Sequence, residues 1–150
     1  MKIERLIEKF KEVESENTFR IFVKTIRNLI EEEGFKHIGS GSFTDAFRKG
    51  RWVVKLCQTR SEKFHKKYGD GYLNPIYISK NRWLAVQPKA IAYNDICEEI
   101  NKLQKLKRKM AALKVKNRNR IADLRVANVG IFNGEVLMID LNNQTDSPYY

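Results

Sequence analysis

A lysine, two aspartates and an asparagine stand along this chain in an order that suits phosphate and metal chemistry. Lys55 lies inside Arg51-Trp-Val-Val-Lys-Leu56, and Asp123, Asn128 and Asp140 follow towards the C-terminus. In an extended segment, alternation puts Lys55 and Val53 on one face and Val54 and Leu56 on the other, so a cation is presented from one side of a strand. Hard cations such as magnesium take oxygen ligands, and few protein ligands suffice because water and phosphate complete the octahedron. Asn128 and Asp140 have that donor chemistry. Upstream, Ile38-Gly-Ser-Gly-Ser-Phe43 places two glycines where backbone could approach a ligand closely. Taken singly, each feature has an ordinary reading: turn glycines, a lysine snorkelling at a sheet edge, aspartate and asparagine in turns or caps. Their joint order is harder to obtain that way.

The glycine run excludes two common nucleotide motifs. A dinucleotide fold needs a third glycine and a helix directly after the loop. Thr44 stands at the third position, Asp45-Ala-Phe-Arg48 reads as a strand, and no Walker lysine pattern is present. What remains is a strand-loop-strand flap with Phe43 at its tip. In Ile121-Ala-Asp-Leu-Arg-Val-Ala-Asn128, the aspartate and asparagine have the spacing of a protein-kinase catalytic loop, and Val129-Gly-Ile-Phe-Asn-Gly-Glu-Val-Leu-Met-Ile-Asp140 follows it as a hairpin ending in an aspartate. Through these motifs, residues 35–142 resemble the protein-kinase-like superfamily. Gly34-Phe-Lys-His-Ile-Gly-Ser-Gly-Ser-Phe-Thr-Asp-Ala-Phe47 and Asn128-Val-Gly-Ile-Phe-Asn-Gly134 look most like the small early serine/threonine kinases of lytic bacteriophages.

That resemblance implies ATP, magnesium and transfer to serine or threonine of a protein, a host protein if the chain is phage-encoded. It implies that Gly39, Ser40, Gly41, Ser42 and Phe43 cover the phosphates and that Lys55 meets the α- and β-phosphates. Asp123 would accept or orient the proton of the attacking hydroxyl, and Asn128 and Asp140 would hold magnesium. The chain also departs from the pattern. Ile121-Ala122 replaces the usual His-Arg, Asp140-Leu-Asn142 replaces Asp-Phe-Gly, and eight residues follow, too few for an activation segment or a peptide platform. No helix glutamate is evident to pair with Lys55, since Glu62 comes too early. The alternative function is therefore a catalytically inactive pseudokinase or a binding module.

The elements that must position these residues are legible from periodicity. Apolar residues at helical spacing predict helices over residues 2–14 (Ile3, Leu6, Ile7, Phe10, Val13) and 18–33 (Phe19, Phe22, Val23, Ile26, Leu29, Ile30), with Thr18 as N-cap and Gly34 as stop. Strands are expected over 35–39, 43–48, 51–57, 75–79 and 83–87, with Lys49-Gly50 turning the second hairpin, which makes a five-stranded antiparallel sheet. Asp95 and Glu98 form a capping-box pair that opens a helix over 96–113, and Asn133-Gly134 favours a type I′ turn. The expected architecture is α+β, a single reduced kinase-like domain. It would comprise a helical N-terminal extension (1–34), an N-lobe-like sheet (35–90), a truncated C-lobe of one long helix, catalytic loop and hairpin (91–142) and a tail (143–150).

Composition bounds the remaining possibilities. Hydrophobic residues at 42% and aromatics at 11% exclude a disordered tail. No apolar run approaches the roughly 20 residues that cross a bilayer, so no membrane partner and a cytoplasmic location are expected. Cys57 and Cys97, with His37 and His65, make no zinc spacing and read as isolated thiols. The net charge is +11, and residues 101–120 carry nine lysines and arginines with no acid. Such a segment draws acidic proteins, here the acidic substrate or a host protein, and Lys105, Lys107, Arg108, Lys109, Lys116 and Arg118 could also engage nucleic acid; a solvated helix face is the plain alternative.

Overall fold

The computed structural model describes residues 2–40, 43–92, 108–109, 111–112 and 129–141. The chain divides into two compact units, Met1–Lys66 with Pro75–Pro88, and Lys67–Asn74 with Lys89–Tyr150. The first is built from the helices and strands that periodicity calls for, with differences at single positions.

The first unit opens with helices α1 (Ile3–Lys11) and α2 (Phe19–Glu32). Each buries one stripe, Ile3, Leu6 and Phe10 on α1 and Phe22, Ile26 and Ile30 on α2, at the three- and four-residue spacing of a core-facing helix. Thr18 occupies the N-cap position of α2 but its hydroxyl makes no cap bond; its backbone N–H instead donates to the Glu16 carboxylate at 3.1 Å. At the other end, Phe35 N–H bonds Ile30 O and Gly34 N–H bonds Glu31 O, a Schellman closure. The Lys49 ammonium donates to the Glu33 carbonyl, and Lys9 lies 3.4 Å from the Glu33 carboxylate. Cations thus offset the three acids that oppose the dipole at this helix end.

Five strands follow, β1 (Lys36–Ser40), β2 (Thr44–Lys49), β3 (Trp52–Cys57), β4 (Tyr77–Ile78) and β5 (Leu84–Pro88), all antiparallel in the order β1-β2-β3-β5-β4. Lys49 pairs with Trp52, so the two-residue turn is Gly50-Arg51 and not Lys49-Gly50. The predicted strand over 75–79 shortens to Tyr77–Ile78, although Ile76 N–H still donates to the Val86 carbonyl at 2.8 Å and Ser79 N–H to the Leu84 carbonyl at 3.0 Å. Residues 58–76 between β3 and β4 contain no helix.

The helices cover one face of the sheet. The cross-strand row His37, Phe47, Val54, Val86, Tyr77 turns towards them: Arg27 of α2 lies 5.3 Å over the Phe47 ring and Phe10 of α1 stacks on Tyr77 at 6.3 Å. Phe19 and Phe22 pack against Trp83 at 5.2 and 5.8 Å. The Tyr77 hydroxyl donates to Glu14 at 2.6 Å, tying the α1–α2 connection to the sheet. Burial, then that hydrogen bond, pushes the phenol pKa up.

In the second unit, β7 (Val129–Phe132) and β8 (Glu135–Met138) form the expected hairpin, with Asn133 and Gly134 both at positive φ (50° and 79°) as a type I′ turn requires. The sequence reading did not anticipate β6 (Ile91–Ala92), which pairs with β7 into a three-stranded sheet. Gly130 makes that pairing possible, since a Cβ there would stand 2.9 Å from the Ile91 carbonyl oxygen. Residues 108–109 and 111–112 are helical, within the helix expected over 96–113; the rest of that helix and its Asp95–Glu98 cap lie outside the described residues. Among the described residues, no helix is long and apolar enough to cross a membrane.

Candidate functional site

β3 is the central strand, flanked by β2 and β5, so Lys55 is not the edge lysine of its plain reading. Its direct cross-strand neighbours are Ala46 and Ala85, and the row continues to Gly39 on β1 and Ile78 on β4. Alternation places this row on the face opposite the helices. Gly, Ala, Lys, Ala is therefore the sequence of side chains across four adjacent strands, with one long cation standing among the smallest residues available. Gly39 adopts no positive φ, and a Cβ added to it would meet nothing within 4 Å, so neither backbone geometry nor packing among the described residues calls for glycine there. Gly39 is exposed at one end of the row, whereas Ala85 is fully buried at the other.

The loop that should cover such a ligand is described at its two ends. Ser40 closes β1, Phe43 stands 45% exposed just before β2, and Gly41 and Ser42 lie outside the described residues. Ser40 does not face a ligand: its hydroxyl donates to Asp45 Oδ1 at 2.6 Å. Asp45 is the hub of a polar cluster that sequence reasoning passed over as strand. Arg27 Nη2 reaches its Oδ2 at 2.7 Å, Gln58 Nε2 reaches Oδ1 at 3.1 Å, and His37 Nε2 lies 2.9 Å from Ser40 Oγ and 3.8 Å from Asp45 Oδ1. The Gln58 backbone N–H also donates to the Phe43 carbonyl at 2.8 Å, extending the β2–β3 ladder. Burial works against the Asp45 charge, but hydrogen bonds from Ser40 and Gln58 and the charges of Arg27 and His37 outweigh it and hold its pKa below the ordinary aspartate value. The cluster's stabilising charge is therefore present above about pH 4 and is lost as pH falls through that lowered pKa. The available signal in the sequence was a carboxylate on the inward-facing register of Phe47, a place where a charge requires partners.

In the second unit, Val136 and Met138 are buried on β8, and Asp140 follows two residues later on the same alternation, partly exposed. Leu73 N–H bonds the Met138 carbonyl at 2.8 Å and Met138 N–H bonds Gly71 at 2.7 Å, so the chain just before Asp140 is held by residues 71–73. Asp123 and Asn128 lie outside the described residues, as do Lys105, Lys107, Lys116 and Arg118. Arg108 is exposed, and Lys109 donates to the Gly134 carbonyl at 2.8 Å, joining the basic helix to the hairpin turn. Among the described residues, no three His, Cys, Asp or Glu side chains gather to hold a metal, which leaves Asp140 as the described member of the expected Asn128–Asp140 pair. A cavity of about 710 Å³ in the first unit is lined by Lys2, Ile3, Glu4, Lys49, Gly50, Arg51 and Trp52 and includes no residue of the Lys55 row.

No family model and no curated protein matches the chain.

Proposed function

We propose that the chain is an ATP- and magnesium-dependent phosphotransferase of reduced kinase-like fold that acts on serine or threonine hydroxyls of a protein. The observation that carries this reading is the Gly39–Ala46–Lys55–Ala85 row. A solvated surface lysine needs no small neighbours, whereas a nucleotide lying on a sheet needs them, and a cation on the central strand suits its α- and β-phosphates. In this reading, the attacking hydroxyl oxygen bonds to the γ-phosphorus, the bond to the departing ADP oxygen breaks, and Asp123 takes the hydroxyl proton. Asn128 and Asp140 provide hard oxygen donors for magnesium, whose charge offsets that of the triphosphate. The acid-free basic run over 101–120 recruits an acidic substrate by long-range attraction.

Thermal shift with and without Mg·ATP tests the reading. A ligand at 100 times its Kd adds about 2.7 kcal/mol, which in a chain of this size moves Tm by roughly 5–10 °C. Lys55→Ala and Asp140→Ala should lose most of that shift; Asp123→Asn should keep the shift and abolish transfer from labelled ATP. No shift for the wild type at millimolar nucleotide overturns the proposal. A wild-type shift without transfer to any protein of a host lysate would assign the pseudokinase reading instead, which the replaced His-Arg favours.

A further inference from the structure

We propose that Arg27 and Asp45, which Ser40 joins to the glycine loop, are positioning residues for that loop, so that helix α2 sets the affinity for nucleotide. This inference rests on the phosphotransferase reading. β1 is an edge strand, exposed along its length, paired on one side only and bulged between His37 and Gly39. Such a strand is weakly held by its own ladder. Its last paired position, Ser40 opposite Asp45, is the mouth of the loop. There the Asp45 carboxylate binds both ways: Oδ1 accepts from Ser40 at the entering end, and Oδ2 accepts from Arg27 on α2. Gln58, just past β3, adds its side chain to Oδ1 and its backbone N–H to the Phe43 carbonyl. Because Ser40 gives its one proton to Asp45, the 2.9 Å contact from His37 Nε2 is a donation to Ser40 Oγ, which places the ring proton on Nε2. The two described ends of the loop, Ser40 and Phe43, are thereby tied to α2 through Asp45 and to Gln58 just beyond β3. Loop ends held in advance spare part of the ordering cost at binding, so the cluster acts on nucleotide affinity rather than on the chemical step.

The test compares Arg27→Gln, Arg27→Lys, Asp45→Asn and Ser40→Ala in the full chain, reading KM for Mg·ATP, kcat, the Kd of Mg·ADP and Tm. Loss of the link should raise KM and Kd about fivefold, the scale of a modest coupling between sites, with kcat within about twofold. Arg27→Lys, which keeps the charge, should recover part of the loss. A purely structural role would instead lower Tm and the active fraction, hence kcat, at unchanged KM. Ser40→Ala keeps the Arg27–Asp45 pair and cuts only the loop-side link, so it reports on the loop even if the Asp45 variant unfolds. Unchanged KM and Kd in Ser40→Ala and Arg27→Gln, beside a wild type that binds Mg·ATP, overturn this proposal alone. A wild type that binds no nucleotide overturns it together with the reading on which it rests.

Discussion

Cys57 shows how a residue's chemistry is set by its surroundings. It is 2% exposed at the end of β3, and its Sγ lies 3.9 Å from the Arg82 carbonyl. Burial, reinforced by the Glu62 charge, pushes the thiol pKa up to about 12 from an ordinary 9.0. At pH 8 the reactive thiolate would then be on the order of one part in 10⁴. The native protein should leave Cys57 unlabelled by iodoacetamide at pH 8, and unfolding should expose it, as read by peptide mass mapping. Ready native labelling of Cys57 would contradict the buried placement. The sign of its pH effect follows: stability tied to the neutral thiol is full below about pH 9 and declines as pH rises towards 12, because the unfolded chain ionises first.

At the scale of elements, the junction between α2 and β1 turns the chain from the helical layer into the sheet. Gly34 sits there at φ 87° and closes the Schellman motif. A Cβ would meet only Lys49 Nζ at 3.6 Å and Cε at 3.9 Å, ordinary contact distances, so packing does not forbid a side chain. The cost of Gly34→Ala is conformational, about 1–2 kcal/mol for an L-residue held left-handed. Urea denaturation should show the midpoint fall at unchanged m-value. Gly34→Asn, which tolerates this conformation better, should lose less. An alanine variant as stable as the wild type would mean that the helix end can close in another way.

At the scale of the molecule, the charge distribution outweighs any single contact. Nine of the cations lie in residues 101–120 against a net charge of +11. Reversing Lys107, Arg108, Lys116 and Arg118 to glutamate changes the total by eight and leaves +3. Retention on heparin, a polyanion probe, should drop to lower salt, and the slope of log affinity against log salt should flatten by up to about 0.9 for each phosphate-like contact removed. Far-UV circular dichroism should stay unchanged. Equal retention of the reversed variant would show that this segment is a solvated face and that the polyanion site is elsewhere.

Periodicity alone determined the two helices, the five-stranded antiparallel sheet and the Asn133-Gly134 hairpin, because apolar spacing and turn chemistry are local properties that each segment carries within itself. The order of Gly39, Lys55, Asp123, Asn128 and Asp140 was equally legible, and the proposal of phosphate and metal chemistry starts from it. Tertiary pairing decided what no local pattern contains. Lys55 is central rather than peripheral because β5, some 30 residues later in the chain, inserts beside β3. Ala46 and Ala85 become its neighbours only through that register. Ser40, which the glycine motif assigned to a ligand, is drawn to Asp45, and Asp45 to Arg27 on a helix 18 residues upstream, because a carboxylate facing the helical layer must find its donors wherever the fold brings them.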